Sequence, residues 1–205
     1  MLRRWLPRVL LVGVLSCGGC DKAPTAPSLP SPPGQVAGLT CGVERWAVKT
    51  LSDPDAATVD PNRVQAATIK DLNLVSAHCG GGPDRRTYAE EFQVYEVVGR
   101  ITLVRLEDDR DFHIALADPD DPTYTIVTEI ADPLCQGVVS SPFLSLFTQV
   151  KGAFDAVRAG RSLASLSGTK VRARGVGFFD FNHNQTGRSQ SCMELHPITA
   201  IEIVQ

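Results

Sequence analysis

Residues 143–157 carry the pattern that most restricts what this chain can fold into. Phe143, Phe147, Val150, Phe154 and Val157 recur at spacings of four, three, four and three, which puts them on one stripe of an amphipathic helix. Ser141 and Pro142 stand where an N-cap and a first helical residue belong, and Gly160 follows as a stop. The segments on either side have the two-residue period of strands. In 92–106, Tyr95, Val97, Ile101 and Leu103 fall on one face, and Gly99 permits a bend or bulge. Phe112, Ile114 and Leu116 mark a second strand and Tyr124, Ile126 and Ile130 a third, with turns at 107–111 and 118–122. After the helix, 170–181 and 193–204 read as a fourth and a fifth strand.

Three strands, a helix and two strands is the element order of an OB-fold, a small closed barrel plugged by a helix. The expected fold is therefore mostly β: an OB-fold-like five-stranded barrel (β-β-β-α-β-β) over 92–205, preceded by an N-terminal extension over 41–91. Within the extension, 44–51 reads as a strand with Trp46 and Val48 on one face. Thr68 and Asp71 form a capping box that starts a short helix running from Ile69 to about Val75.

The first sixteen residues read as an export signal of lipoprotein type. Arg3 and Arg4 precede a short apolar run, 9–15, far below the ~20 residues of a membrane-spanning helix. The lipidated residue is Cys17 or Cys20. Cys17 has Val14 and Ser16 at the favoured places, whereas Cys20 follows Gly18 and Gly19 and leaves four cysteines in the body. Residues 17–40 form a tether with five prolines between Pro24 and Pro33, too poor in bulky apolar side chains to fold and held extended by its rings. The expected location is extracytoplasmic, lipid-anchored to a bacterial membrane, with plain secretion as the alternative.

In an oxidising compartment Cys41, Cys79, Cys135 and Cys192 should be paired. Sequence allows three connectivities; Cys41 with Cys79 would clip the extension, leaving Cys135 with Cys192. Removing the signal leaves 17 basic against 23 acidic side chains. That balance makes nonspecific nucleic-acid binding an unexpected role.

OB barrels bind ligands on the face of their second and third strands, bordered by the loops between strands one and two and between strands four and five. Here those loops are 107–111 and 183–191, the most polar segments of the barrel. The candidate ligand-binding residues are Asp108, Asp109, Asp111, His113, His183, Gln185, Glu194 and His196. A divalent metal is the candidate cofactor, with Asp109, Asp111 and His183 as ligands, because carboxylates and imidazoles are its common donors. No HExxH or paired CxxC motif is present, and a solvated acidic hairpin explains the same residues. Asp180, Asn182 and Asn184 have the spacing of the first calcium-loop ligands, but Gln185 and Ser191 break that motif and favour a plain turn. Lys170, Arg172 and Arg174 alternate on one strand face, as a phosphate-binding strip or as its wet side. Phe179 and Phe181 should point inward together.

These segments resemble a family of uncharacterised bacterial exported proteins. The similarity lies in a leading RWAVKTLSD-like segment (45–53), an LEDDxDxH turn (106–113), a following DPxC, and a GVGFFDFxHxQTG…ELHP close (175–197). The resemblance implies common ancestry from Glu44 onward and brings no activity with it. Asn184 stands where glycine is common, and Ser191-Cys192 where the pattern has Asn-Gly. Three functions fit these residues: an OB-like domain binding an oligosaccharide, nucleic acid or protein; a metal-dependent hydrolase, including a nuclease; and a structural envelope protein.

Overall fold

The computed structural model describes residues 38–42 and 44–205. The signal, both candidate lipidation cysteines and the tether up to residue 37 lie outside the described residues. The extension contains helix α1 (Trp46–Lys49), strand β1 (Val64–Ala66) and helix α2 (Ile69–Asn73). The barrel follows with β2 (Val94–Leu106), β3 (Phe112–Ala117), β4 (Thr125–Ile130), helix α3 (Leu144–Arg158), β5 (Lys170–Phe179) and β6 (Met193–Ile203).

The sheet runs β1-β2-β3-β4-β6-β5, and a further β2–β5 pairing closes it. All barrel pairings are antiparallel except β4 with β6, which meet parallel at Thr128 and Leu195. This is the expected five-stranded OB-like barrel, with β1 added parallel to the start of β2. β2 serves two partners: Val94 to Arg100 pair with β5, and Arg100 to Leu106 with β3. Gly99 lies at the changeover, where an added Cβ would come within 2.8 Å of Ile69 and 2.9 Å of Leu116. Thr102 is then bulged, since Ile101 pairs with Leu116 and Leu103 with Ala115. The extra residue reverses the alternation. Val104 is consequently buried and Leu103 only half-buried, the opposite of the expectation for Leu103.

α3 buries Phe147, Val150, Phe154 and Val157. Val150, Phe154 and Val157 join the core with Phe112, Ile114, Leu195 and Ile198. Burying each such side chain favours folding by roughly 1.5–3 kcal/mol. The helix begins at Leu144, later than the Ser141-Pro142 signal. The Ser141 hydroxyl accepts from Phe143 N (3.2 Å) and donates to Leu51 O (2.8 Å), so it shapes the preceding turn. Ala159 and Gly160, both at positive φ, end the helix.

Segment 44–51 is one helical turn instead of the expected strand. Four residues of alternation cannot separate the two periods, and tertiary bonds decide. Arg45, left-handed at φ 47°, donates to Glu91 Oε1 (2.7 Å) and to the carbonyls of Phe179, Pro83 and Arg85. That anchor fastens the extension to the outside of β5 and covers Phe178. The α2 capping box forms as expected, Thr68 and Asp71 bonding reciprocally at 2.9 and 3.0 Å.

The disulfides are Cys41–Cys135 and Cys79–Cys192, so the expected Cys41–Cys79 and Cys135–Cys192 pairing is corrected. Leu39 runs alongside Cys135 as a bridge, and Gly80 bridges to Phe181. The start of the extension and its 79–80 stretch are thus each laid against a barrel loop, which sequence proximity could not reveal. Loops of 94 and 113 residues set an upper figure of about 4–5 kcal/mol each in the chain-entropy account, and losses on removal are typically about 2–4 kcal/mol.

Candidate functional site

Side chains of β3 to β6 that point away from the barrel axis would normally be wet. Here many are sealed. Phe112, Ile114, Phe179, Met193 and Leu195 face the core, which sends His113, Glu129, Phe178, Glu194 and His196 outward. All five are nonetheless buried, because two segments cover them.

The first cover is the loop after β5. Thr186 O lies 2.8 Å from His113 Nε2, and Thr125 Oγ1 donates to Arg188 O at 3.3 Å. Gly187, at φ +89°, presses against Ala115 so closely that a Cβ would collide with it. The loop's far end is held by Gln190 N to Asn73 Oδ1 (2.8 Å), Ser191 Oγ to Leu72 O (2.7 Å) and the Cys79–Cys192 bond. The second cover is α1, whose Lys49 reaches over the Phe178 ring at 5.5 Å.

Beneath these covers runs a chain of acids and imidazoles. Asp111, buried at the end of the 107–111 turn, accepts from Asp132 N at 3.3 Å. Its Oδ2 lies 3.3 Å from His196 Nε2, and His196 Nδ1 lies 2.9 Å from Glu129 Oε2. Both contacts are off the line of a hydrogen bond, so Asp111 Oδ2 and both His196 nitrogens have no aligned partner. Glu129 Oε1 meets His113 Nδ1 at 3.0 Å, its register partner across the hairpin. Glu107 approaches the same nitrogen at 3.4 Å.

The charges perturb one another strongly. Burial pushes the Asp111 carboxyl up to about 6 against the pull of His196. Burial, with the charges of Glu129 and Asp180, pushes Glu194 up to about 8; Lys49 and the Gln185 amide, 3.0 Å away, oppose it. His196 is raised to about 9: burial acts downward, but the Glu129 charge and the contacts with Asp111 and Glu129 prevail. Glu129 is held well below the usual carboxylate range despite its burial, by His196, His113 and Lys49.

The eight candidate ligand-binding residues fall into two layers. Asp108 and His183 are exposed and Asp109 and Gln185 half-buried, whereas Asp111, His113, Glu194 and His196 have almost no solvent contact. The two polar loops do meet: Arg105, Glu107, Asp108, Asp109 and His183 line one open hollow of ≈ 480 Å³. A second, of ≈ 270 Å³, is lined by Glu44, Trp46, Lys49, Asp108 and Asp109 among others. Asp109, Asp111 and His183 do not close into a metal-sized set; Asp111, Glu129 and His196 do, as do Glu107, His113 and Glu129. His183 instead pairs with Asp180 at 3.1 Å and stacks on Phe181.

Glu129 was not among the sequence candidates, though an acid on a strand directly opposite His113 is a legible signal. Lys49 is drawn in by the helical turn, over Phe178 and near Glu194. The calcium-like spacing is a turn: Asn182 Oδ1 accepts from Asn184 N at 3.2 Å, and Asn184 has φ 62°. Arg172 and Arg174 are tied to Glu96 and Glu202 on the wet face of β5 and β2. Phe179 points into the core, but Phe181 is half-buried against His183, beyond the strand's end.

The fold defines the class, a closed OB-like barrel with an added strand and few helices. No protein-family model matches the chain, and no curated protein matches it. Nine solved chains match it in structure. One, assigned as an aspartyl-tRNA synthetase from Leishmania major Friedlin, aligns with 73% of this chain and 22% of that chain, at 14% identity and a TM-score of 0.37.

Proposed function

We propose that this protein is an extracytoplasmic, lipid-anchored binding domain whose ligand is of the oligosaccharide class. The observation that carries the reading is the shared hollow, in which the two loops an OB barrel uses for ligands meet around Glu107, Asp108, Asp109 and His183. Carboxylates accept readily from sugar hydroxyls, and the half-buried Trp46 lines the adjoining hollow beside Asp108 and Asp109. The same acidic wall repels a phosphate backbone. Two disulfides suit an oxidising compartment, in keeping with the signal-like N-terminus.

Binding fits this geometry better than hydrolysis. Glu194, His113 and His196 are sealed beneath the 181–191 loop, out of reach of a scissile bond unless that loop moves. The test is calorimetric titration with bacterial cell-wall oligosaccharides, a single-stranded oligonucleotide and a lysine-rich peptide. Asp108→Asn with Asp109→Asn should weaken oligosaccharide binding by about tenfold or more, as expected for lost charge-assisted hydrogen bonds. Tighter binding of the oligonucleotide, or of the peptide, would assign the hollow to that class instead.

A further inference from the structure

We infer that Asp111, Glu129 and His196 form a buried centre for one divalent transition-metal ion of the Zn²⁺ or Mn²⁺ type. One ligand atom from each lies within 4.8 Å of the others, so a movement of a few tenths of an ångström brings all three within the ~4.4 Å that an ion bonded at about 2.2 Å can span. The residues come from the end of the 107–111 turn, from β4 and from β6, so the ion would join three segments remote in sequence. All three are buried, His196 and Asp111 completely.

The independent sign is the alignment of these groups. Asp111 Oδ2 and both nitrogens of His196 are shielded from water and near opposite charges, yet none has a hydrogen bond of acceptable geometry. Buried polar atoms are nearly always satisfied. An ion taking Asp111 Oδ2, one His196 nitrogen and a Glu129 oxygen would satisfy atoms that their contacts at 2.9–3.3 Å leave unaligned.

The surroundings have the character of a second layer around an ion. Glu129 Oε1 is held by His113 Nδ1 at 3.0 Å, and the other His113 nitrogen meets Thr186 O at 2.8 Å. Such a chain orients a ligating carboxylate and fixes the imidazole tautomer. Two carboxylates and an imidazole match the donor preference of Zn²⁺ and Mn²⁺. The inference does not depend on the ligand-binding reading, because the ion would sit in the same place whatever fills the hollow above it.

The test uses the full chain purified in detergent. Elemental analysis should find close to one equivalent of metal, or the chelator-treated protein should take up one equivalent of Zn²⁺ or Mn²⁺. Uptake should raise the thermal midpoint by about 5 °C or more, as expected for an ion that binds only the folded state. Asp111→Asn and the near-isosteric Glu129→Gln should each weaken uptake by more than about 100-fold, since each removes a ligand. His183→Ala should keep the full equivalent. A folded wild-type protein with under about a tenth of an equivalent, and no midpoint shift with either ion, overturns the inference even if every variant misfolds. Metal lost in His183→Ala but kept in Asp111→Asn overturns it as well, by moving the ion to the surface loop.

Discussion

Two buried charged clusters lie on the outside of the same barrel, and they are built differently. Around Arg45 every guanidinium nitrogen donates: Nε to Pro83 O, Nη1 to Glu91 and Phe179 O, and Nη2 to Arg85 O. Glu91 in turn accepts from the Thr87, Tyr88 and Phe179 amides. Around His196 the charges are as deeply buried, but an imidazole replaces the guanidinium and the close contacts are misaligned. The first cluster is a completed structural joint that docks the extension. The second holds charge in unfinished geometry, as sites that take a ligand do. Neither burial of charge nor incomplete hydrogen bonding alone separates fastening from function, since the buried Asp53–Arg86 pair is misaligned too; the His196 cluster differs in offering three ligand atoms within 4.8 Å of one another.

The largest expected effect falls on the finished joint. Arg45→Ala strands Glu91 as an uncompensated buried charge and should lower stability by about 3–5 kcal/mol in urea unfolding. If the loss is under about 1 kcal/mol, the joint is not what holds the extension down. Next comes the cover of the unfinished cluster. Cys79→Ser with Cys192→Ser should cost about 2–4 kcal/mol and speed amide exchange at Gly187 more than in β2. The acid limb of stability provides a sharper contrast. Burial raises Glu91, but the Arg45 hydrogen bond, the Thr87 and Phe179 amides and the Arg45 charge outweigh it, and the carboxyl ends below 4.5. A depressed folded value means the contribution is complete above the unfolded pKa and is lost as pH falls through the folded one. Urea midpoints measured from pH 7 to pH 3 should therefore fall less steeply in Glu91→Gln than in wild type. The smallest effects mark the unfinished cluster and the wet surface. In chelator-treated protein Asp111→Asn should change stability by no more than about 1 kcal/mol, because the side chain has one aligned bond to lose. Arg172→Ala, on an exposed ion pair, should also stay within about 1 kcal/mol.

The barrel was legible because its signals are local. The α3 stripe and the alternation of β3 and β4 each repeat over enough residues to fix one period. Where the period was cut short or interrupted, the reading failed. Four residues at Trp46–Lys49 could not declare a helix that Arg45 imposes from outside, and one bulged residue turned Leu103 and Val104 about. The disulfide partners depend on where Leu39 and Gly80 lie in space, a long-range fact with no local trace. The candidate site was half visible: the acids and imidazoles were identified by type and by their loops. Their division into an exposed rim and a sealed layer was not, since it is made by the 181–191 loop folding back over Ala115. Glu129 escaped because an acid inside a strand ordinarily reads as solvent-facing.

The bulge at Thr102 has a consequence for which changes the chain can tolerate. Replacing that threonine costs its bond to Ala115 O, a modest matter for a half-exposed hydroxyl. Deleting it would rethread the end of β2, swap Val104 for Leu103 at the core and shift the approach to the acidic turn by one place. At this position the number of residues is under tighter constraint than their identity, so related chains should vary in the letter and keep the count.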